Sequence, residues 1–96
     1  MISESLRSAI ERQIAEDAKA TELGAWPMRH FAERKLLFLT GDDAFFWYLG
    51  LDGTVYYCDH DTFAMQMEPE TDAERARAAI ARRASTFPAL LELLGG

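Results

Sequence analysis

Two consecutive residues, Asp52-Gly53, constrain this chain more than any others. They stand between Ala44 to Leu51, a run rich in aromatics, and Thr54 to Asp59. Aspartate followed by glycine tolerates positive φ at both centres of a type I′ turn, whose twist suits a two-residue hairpin. Lys35 to Thr40 reads as a further strand and Gly41-Asp42-Asp43 as its turn, which predicts a three-stranded antiparallel meander.

A two-residue loop fixes the register. Leu51 would face Thr54, Leu49 would face Tyr56, Trp47 would face Cys58 and Phe45 would face His60. Side chains alternate along a strand, so Phe45, Trp47, Leu49, Leu51, Tyr56 and Cys58 would share one face, and Phe46, Tyr48, Val55 and Tyr57 the other. Both faces are then apolar, whereas an antiparallel sheet commonly solvates one of them. Either helices cover both sides or the second face meets a partner, with Tyr48 and Tyr57 suited to anchor it because each joins apolar area to a polar tip.

Helices are expected on either side of the meander. Ile2, Leu6, Ile10, Ile14 and Ala18 recur every four residues and lay one apolar stripe, capped by Ser3 or Ser5 and ended at Gly24. Arg7, Glu11, Arg12, Glu16 and Lys19 form its solvated face. Pro27 can open a short second helix through Arg34, burying Met28, Phe31 and Ala32. Thr71-Asp72-Ala73-Glu74 matches a capping box. The helix it starts runs to about Ala84, with Ala73, Ala76, Ile80 and Ala84 inward and Arg75, Arg77, Arg82 and Arg83 outward. Ser85 or Thr86 then caps a last helix from Phe87, docked by Leu90, Leu91, Leu93 and Leu94. The predicted fold class is α+β: N-terminal helices, a three-stranded antiparallel meander and C-terminal helices packed on the sheet. With 96 residues, folding hides about 65% of the surface of the extended chain, enough for one modest core and a single domain over 1–96.

The net charge is −6, and its distribution says more than its sum. From Leu36 to Glu74 the chain has nine acids (Asp42, Asp43, Asp52, Asp59, Asp61, Glu68, Glu70, Asp72 and Glu74) and neither Lys nor Arg. Such a block repels DNA and anionic membrane and steers a basic partner; alternatively, these acids are turn and cap residues. A helix-turn-helix over residues 72–94 would place Phe87 to Leu94 in the DNA groove, and that segment has no basic residue. Neither nucleic acid nor membrane is expected as a partner. The longest apolar run, Ala44 to Leu49, is too short to span a bilayer. The N-terminus enters a charged pattern without the apolar stretch of a secretory signal. The single cysteine, Cys58, forms no internal disulfide, and the expected location is cytoplasmic.

Motifs for catalysis are absent: there is no Gly-rich phosphate loop, HExxH or nucleophile elbow. Asp59-His60-Asp61 is the one cluster with acid–base character, but alternation sends His60 to one face and both aspartates to the other while the strand continues. His30 and Glu33 lie three apart on the short helix and read as surface residues. No enzyme activity, cofactor or metal is expected.

Phe46-Trp47-Tyr48-Leu49-Gly50-Leu51-Asp52-Gly53-Thr54-Val55-Tyr56, followed by Ile80-Ala81-Arg82-Arg83-Ala84-Ser85-Thr86-Phe87-Pro88-Ala89-Leu90-Leu91, resembles the SUKH superfamily. Its members pair a "dG-x-V-y" hairpin with a late "A-x-S-F-x-x-F/L-L" helix. The resemblance covers residues 36–94, and its early-segment counterpart, Leu23-Gly24-Ala25-Trp26-Pro27, is looser. It implies an α+β immunity protein that binds and neutralises a toxin enzyme. The leading expectation is therefore a small acidic protein-binding module for a basic protein partner, with Asp42, Asp43, Asp52, Asp59 and Asp61 supplying charge and Tyr48 and Tyr57 supplying anchors. The second is a homodimer formed through the apolar outer face of the sheet.

Overall fold

The computed structural model describes residues 2–20, 35–59 and 67–95. The expected short helix from Pro27 to Arg34, the cap at Gly24, the His30–Glu33 pair, His60, Asp61 and residues 62–66 lie outside them. Among the described residues, two α-helices, a four-stranded sheet and a terminal 3₁₀ helix make up an α+β fold. Among the described residues no helix is long and apolar enough to cross a membrane.

Helix α1 covers Glu4–Ala20. The Ser3 hydroxyl accepts the Leu6 N–H at 3.3 Å, which makes Ser3 the cap and satisfies one of the free N–H groups of the first turn. Leu6, Ile10 and Ile14, at the expected four-residue spacing, are buried.

The antiparallel sheet runs β1 (Leu36–Gly41), β2 (Phe45–Gly50), β3 (Val55–Asp59) and β4 (Glu68–Pro69) in spatial order. The meander is as expected, but its central register is not. Leu49 pairs with Val55, Tyr48 with Tyr56, Trp47 with Tyr57, Phe46 with Cys58 and Phe45 with Asp59. Every pair is shifted by one residue from the sequence expectation. The cause is the turn: Gly50 N–H donates to Thr54 O at 2.9 Å and Gly53 N–H to Gly50 O at 3.0 Å, so the loop has three residues, Leu51 to Gly53. Gly53 has φ of 87°, while neither Leu51 nor Asp52 has positive φ. This excludes a type I′ turn. It matches the three-residue loop in which a turn is followed by a left-handed glycine bulge, a conformation Asp-Gly serves equally well.

A one-residue slip turns a strand over. Val55 and Tyr57 therefore join Phe45, Trp47 and Leu49 on the helix side, while Tyr56 and Cys58 join Phe46 and Tyr48 on the other. Gly53→Ala tests the turn directly. The added Cβ would lie 3.6 Å from Ile2 Cγ1, an ordinary contact, so the cost comes from the backbone alone. We expect about 1 kcal/mol of lost stability in urea titration.

β1 pairs with β2 through a bulge at Leu39, between the Phe38–Tyr48 and Thr40–Trp47 pairs. β4 was not expected from the sequence: it is two residues long and polar, and its Pro69 sits on an edge strand, where a missing N–H is tolerated. Glu70 N–H extends the pairing to Val55 O at 2.8 Å.

Helix α2 covers Ala73–Ala84, and its cap is Asp72 rather than Thr71: the Asp72 carboxylate accepts the N–H groups of Glu74 and Arg75. Ala79, Ile80 and Ala84 are buried, whereas Ala73, expected inward, is exposed. Ser85 and Thr86 close the end of α2 by donating to the carbonyls of Arg82 and Arg83 instead of capping the next element. That element, Pro88–Leu94, is a 3₁₀ helix ended by left-handed Gly95. Leu90 is fully buried, but Leu91, expected to dock, is 48% exposed.

One core joins Leu6, Ile10 and Ile14 of α1, Leu37, Leu39, Leu49 and Val55 of the sheet, Ala79, Ile80 and Ala84 of α2, and Leu90. The second face carries a smaller cluster: Tyr48 and Cys58 at its centre, with Leu36, Phe38, Phe46 and Met67 packed around them.

Candidate functional site

The register places three aromatic rings together on the helix side, at the end of the sheet where β2 begins. Trp47 lies opposite Tyr57, and Phe45 opposite Asp59. The Phe45 ring is 6.0 Å from Trp47 and 5.8 Å from Tyr57, edge-on to the latter. All three side chains are half-buried. The polar tips of Trp47 and Tyr57 are tied to β4 and the residue after it: the Trp47 indole N–H donates to Glu70 Oε1 at 3.0 Å and the Tyr57 hydroxyl to Glu68 Oε2 at 3.1 Å. The hydrogen bond to Glu68, reinforced by the charge of that carboxylate, raises the Tyr57 hydroxyl above its ordinary pKa. The result is an apolar patch with an acidic margin, the combination of aromatic centre and polar rim common in protein interfaces.

The acidic block divides between the two ends of the sheet. At the aromatic end, Asp42 accepts the N–H groups of Ala44 and Phe45, both at 2.8 Å, and shapes the β1–β2 turn. Asp43 is exposed beside it, and Asp59 is half-buried at the end of β3. Asp52 lies at the opposite end, separated by the length of β2, about 17 Å for six residues. Its carboxylate accepts Thr54 N–H at 2.9 Å and the Tyr56 hydroxyl at 3.2 Å. Asp42, Asp52 and Asp72 thus serve turns and a cap. Asp61 lies outside the described residues. Tyr48, expected as an anchor, is fully buried, because its side points away from the aromatic patch into the second-face cluster. Tyr57, assigned by the predicted register to that outer face, lies instead on the helix side.

Asp52 carries a pH signature. The Thr54 backbone N–H, helped by the Tyr56 hydroxyl, holds its carboxyl below the ordinary aspartate value. A pKa lower in the folded than in the unfolded state adds stability above the unfolded value, about pH 4, and that stability is lost as pH falls through the folded value. Asp52→Asn should therefore flatten the loss of stability below about pH 4, as measured by urea midpoints across pH 2–6. An unchanged slope would remove Asp52 from the acid response.

A groove of about 340 Å³ opens next to the aromatic patch, between the β1–β2 end of the sheet and α2. Phe45, Trp47, Thr40 and Gly41 form one wall; Arg75, Ala78, Ala79 and Arg82 form the other, with Asp42 also lining it. The α2 arginines, expected to point outward, have separate duties. Arg83 pairs with Asp17 at 2.9 Å, Arg77 donates to Leu94 O at 3.3 Å, and Arg75 stands 3.8 Å from Asp72. Sequence reasoning missed Glu68, Glu70, Arg75 and Arg82 as site residues. The one local signal was Arg75-Ala78-Arg82, three and then four apart along a single helix face.

Burial, with the Asp59 charge adding to it, pushes the Cys58 thiol up, the opposite of what a reactive thiolate needs. Among the described residues no three His, Cys, Asp or Glu side chains come together to hold a metal. Comparison of the chain with protein-family models, curated proteins and solved structures finds no match in any of the three.

Proposed function

We propose that this protein is a binding module whose aromatic, acidic sheet end engages a basic protein partner. The observation that carries the reading is the Phe45–Trp47–Tyr57 patch, margined by Asp42, Asp43, Asp59, Glu68 and Glu70, within a segment that holds no Lys or Arg. Half-buried aromatics supply contact area at little entropic cost, and the acidic margin on the β3–β4 side and the β1–β2 turn steers the encounter. Of the original candidates, Asp42, Asp43, Asp59 and Tyr57 remain in this role. Asp52, at the far end, acts in its turn.

The SUKH resemblance makes a basic toxin enzyme the first partner to test, and neutralisation by occlusion the corresponding activity. Its hairpin and late-helix motifs fall largely on turn and core residues, Gly53, Val55 and Leu90, so it bears on the fold more than on the partner's identity. Self-association through the second face has less support, since Tyr48 and Cys58 at its centre are buried within one chain.

The test is association kinetics against the captured partner at several ionic strengths. Asp43→Asn and Asp59→Asn should each slow association severalfold and reduce its salt dependence. Tyr57→Ala should instead speed dissociation about tenfold or more. Equal association rates in all variants would overturn the reading.

A further inference from the structure

We propose that the groove between the β1–β2 end of the sheet and α2 binds a small planar anion, an apolar ring carrying a carboxylate or a phosphate. The ring lies against Phe45 and Trp47, and the anionic group is held by Arg82 with Arg75 as the second cation. This goes beyond partner binding: it adds the α2 wall to the Phe45 and Trp47 rings and concerns a different charge and a small ligand.

Three observations lead to it. The groove's volume, about 340 Å³, is within the range of small-molecule sites, which are largely apolar with a few placed polar groups. Its sheet wall offers two aromatic rings, set 6.0 Å apart and tilted, against which a flat ring can pack. Its helix wall carries two guanidinium groups seven residues apart, about 10.5 Å along the axis, with only the methyls of Ala78 and Ala79 between them. The small side chains hold the space open, and the arginines bracket it.

Charge bookkeeping sharpens the choice of ligand. Sixteen acids and ten basic residues leave carboxylates in excess, yet among the described residues Arg82 makes no ion pair. Arg7, Arg75 and Arg83 each have a carboxylate within 4.0 Å; of the described arginines without one, Arg12, Arg77 and Arg82, only Arg82 lines the groove. Guanidinium presents a planar fork that matches carboxylate and phosphate oxygens two at a time. Asp42, on the strand side, has one carboxylate oxygen accepting from Ala44 and Phe45. It disfavours an anion at its own position and leaves the helix side as the place for one. A cation would meet the reverse arrangement.

The test needs no partner. The full chain, ¹⁵N-labelled, is titrated with indole-3-acetate and with adenosine 5′-monophosphate, using indole and adenosine as their neutral counterparts. Saturable shifts are expected at the Thr40 and Gly41 amides and the Trp47 indole N–H. Binding should weaken at least tenfold for the neutral counterpart and at least tenfold in Arg82→Gln, and should vanish in Ala78→Leu, which fills the space. The anion that binds identifies the acid class, carboxylate or phosphate. No saturable shift with either anion, equal binding of a neutral counterpart, or full affinity in Arg82→Gln would each overturn the proposal. Phe45 and Trp47 serve both sites, but Arg82 and Ala78 take no part in the proposed partner interface and Asp43, Asp59 and Tyr57 do not line the groove, so the failure of one proposal is distinguishable from the failure of the other.

Discussion

Replacing Asp17 with Ala is expected to cost about 3 kcal/mol of folding stability, the low end of what breaking a buried ion pair costs. The pair with Arg83 joins α1 to α2 at 2.9 Å, with the side chains only 12% exposed for Arg83 and 14% for Asp17. Gln13 Nε2 donates to the same Asp17 oxygen at 2.9 Å and orients the carboxylate from one turn away. Removing the carboxylate leaves a guanidinium that has lost its water and gained nothing, which is why the loss exceeds the value of an exposed pair such as Arg7–Glu11. The Asp17→Leu/Arg83→Met double variant should recover most of the loss, since apolar replacements of similar size remove both desolvation costs together. Urea titration of Asp17→Leu, Arg83→Met and the double variant closes the cycle. A loss below about 1 kcal/mol in Asp17→Ala would mean that the pair is as weak as a solvated one.

Leu49→Ala should cost about 3–5 kcal/mol, a large part of the 5–15 kcal/mol that a domain usually has. Leu49 is fully buried on β2, an inner strand of the sheet, where it meets Leu37 on one neighbour and Val55 on the other, beneath the helices. No flexible edge can close over the void. Leu91→Ala, from the same residue type in the 3₁₀ helix, should change stability by less than about 0.5 kcal/mol because Leu91 is 48% exposed. Similar losses from both substitutions would contradict the burial pattern.

That contrast also shows what kind of information the sequence holds. The stripe Leu6, Ile10 and Ile14 could be read because helical spacing alone defines its face. The strands could be read because two aromatic-rich runs flank Asp-Gly. Their register could not, since the same dipeptide fits a two-residue loop and a three-residue loop with a glycine bulge, and the choice is made by which face the helices must cover. Val55 belongs with Leu49 in that core, and only tertiary packing says so. Tyr57 was misplaced by the same slip. β4 gave no signal because two residues carry no periodicity. The groove could not be read at all, for Thr40 and Gly41 meet Arg75 and Arg82 only after β1 and α2 pack together. The acids were legible as a block but not as a division between two ends, with Asp42 and Asp52 each engaged in its own turn.

What remains for binding is therefore smaller and better defined than a diffuse acidic surface. Asp43, Asp59, Glu68 and Glu70 margin three rings at one sheet end, while the second-face cluster is occupied with holding the fold. A basic partner would meet carboxylates first and rings second, so charge should govern the rate of encounter and the rings the lifetime of the complex.

The most direct test of this account is capture of the binding partner by charge-reversed protein. Tagged wild type, Asp43→Lys/Asp59→Lys, and Glu11→Lys on the outer face of α1 would be used side by side in native lysate at low and high salt. The account predicts one stoichiometric basic protein held by wild type and by Glu11→Lys, released at high salt, and lost from the sheet-end variant while its circular dichroism stays native. Capture of that protein by the sheet-end variant as strongly as by wild type, or its equal loss from Glu11→Lys, would contradict it.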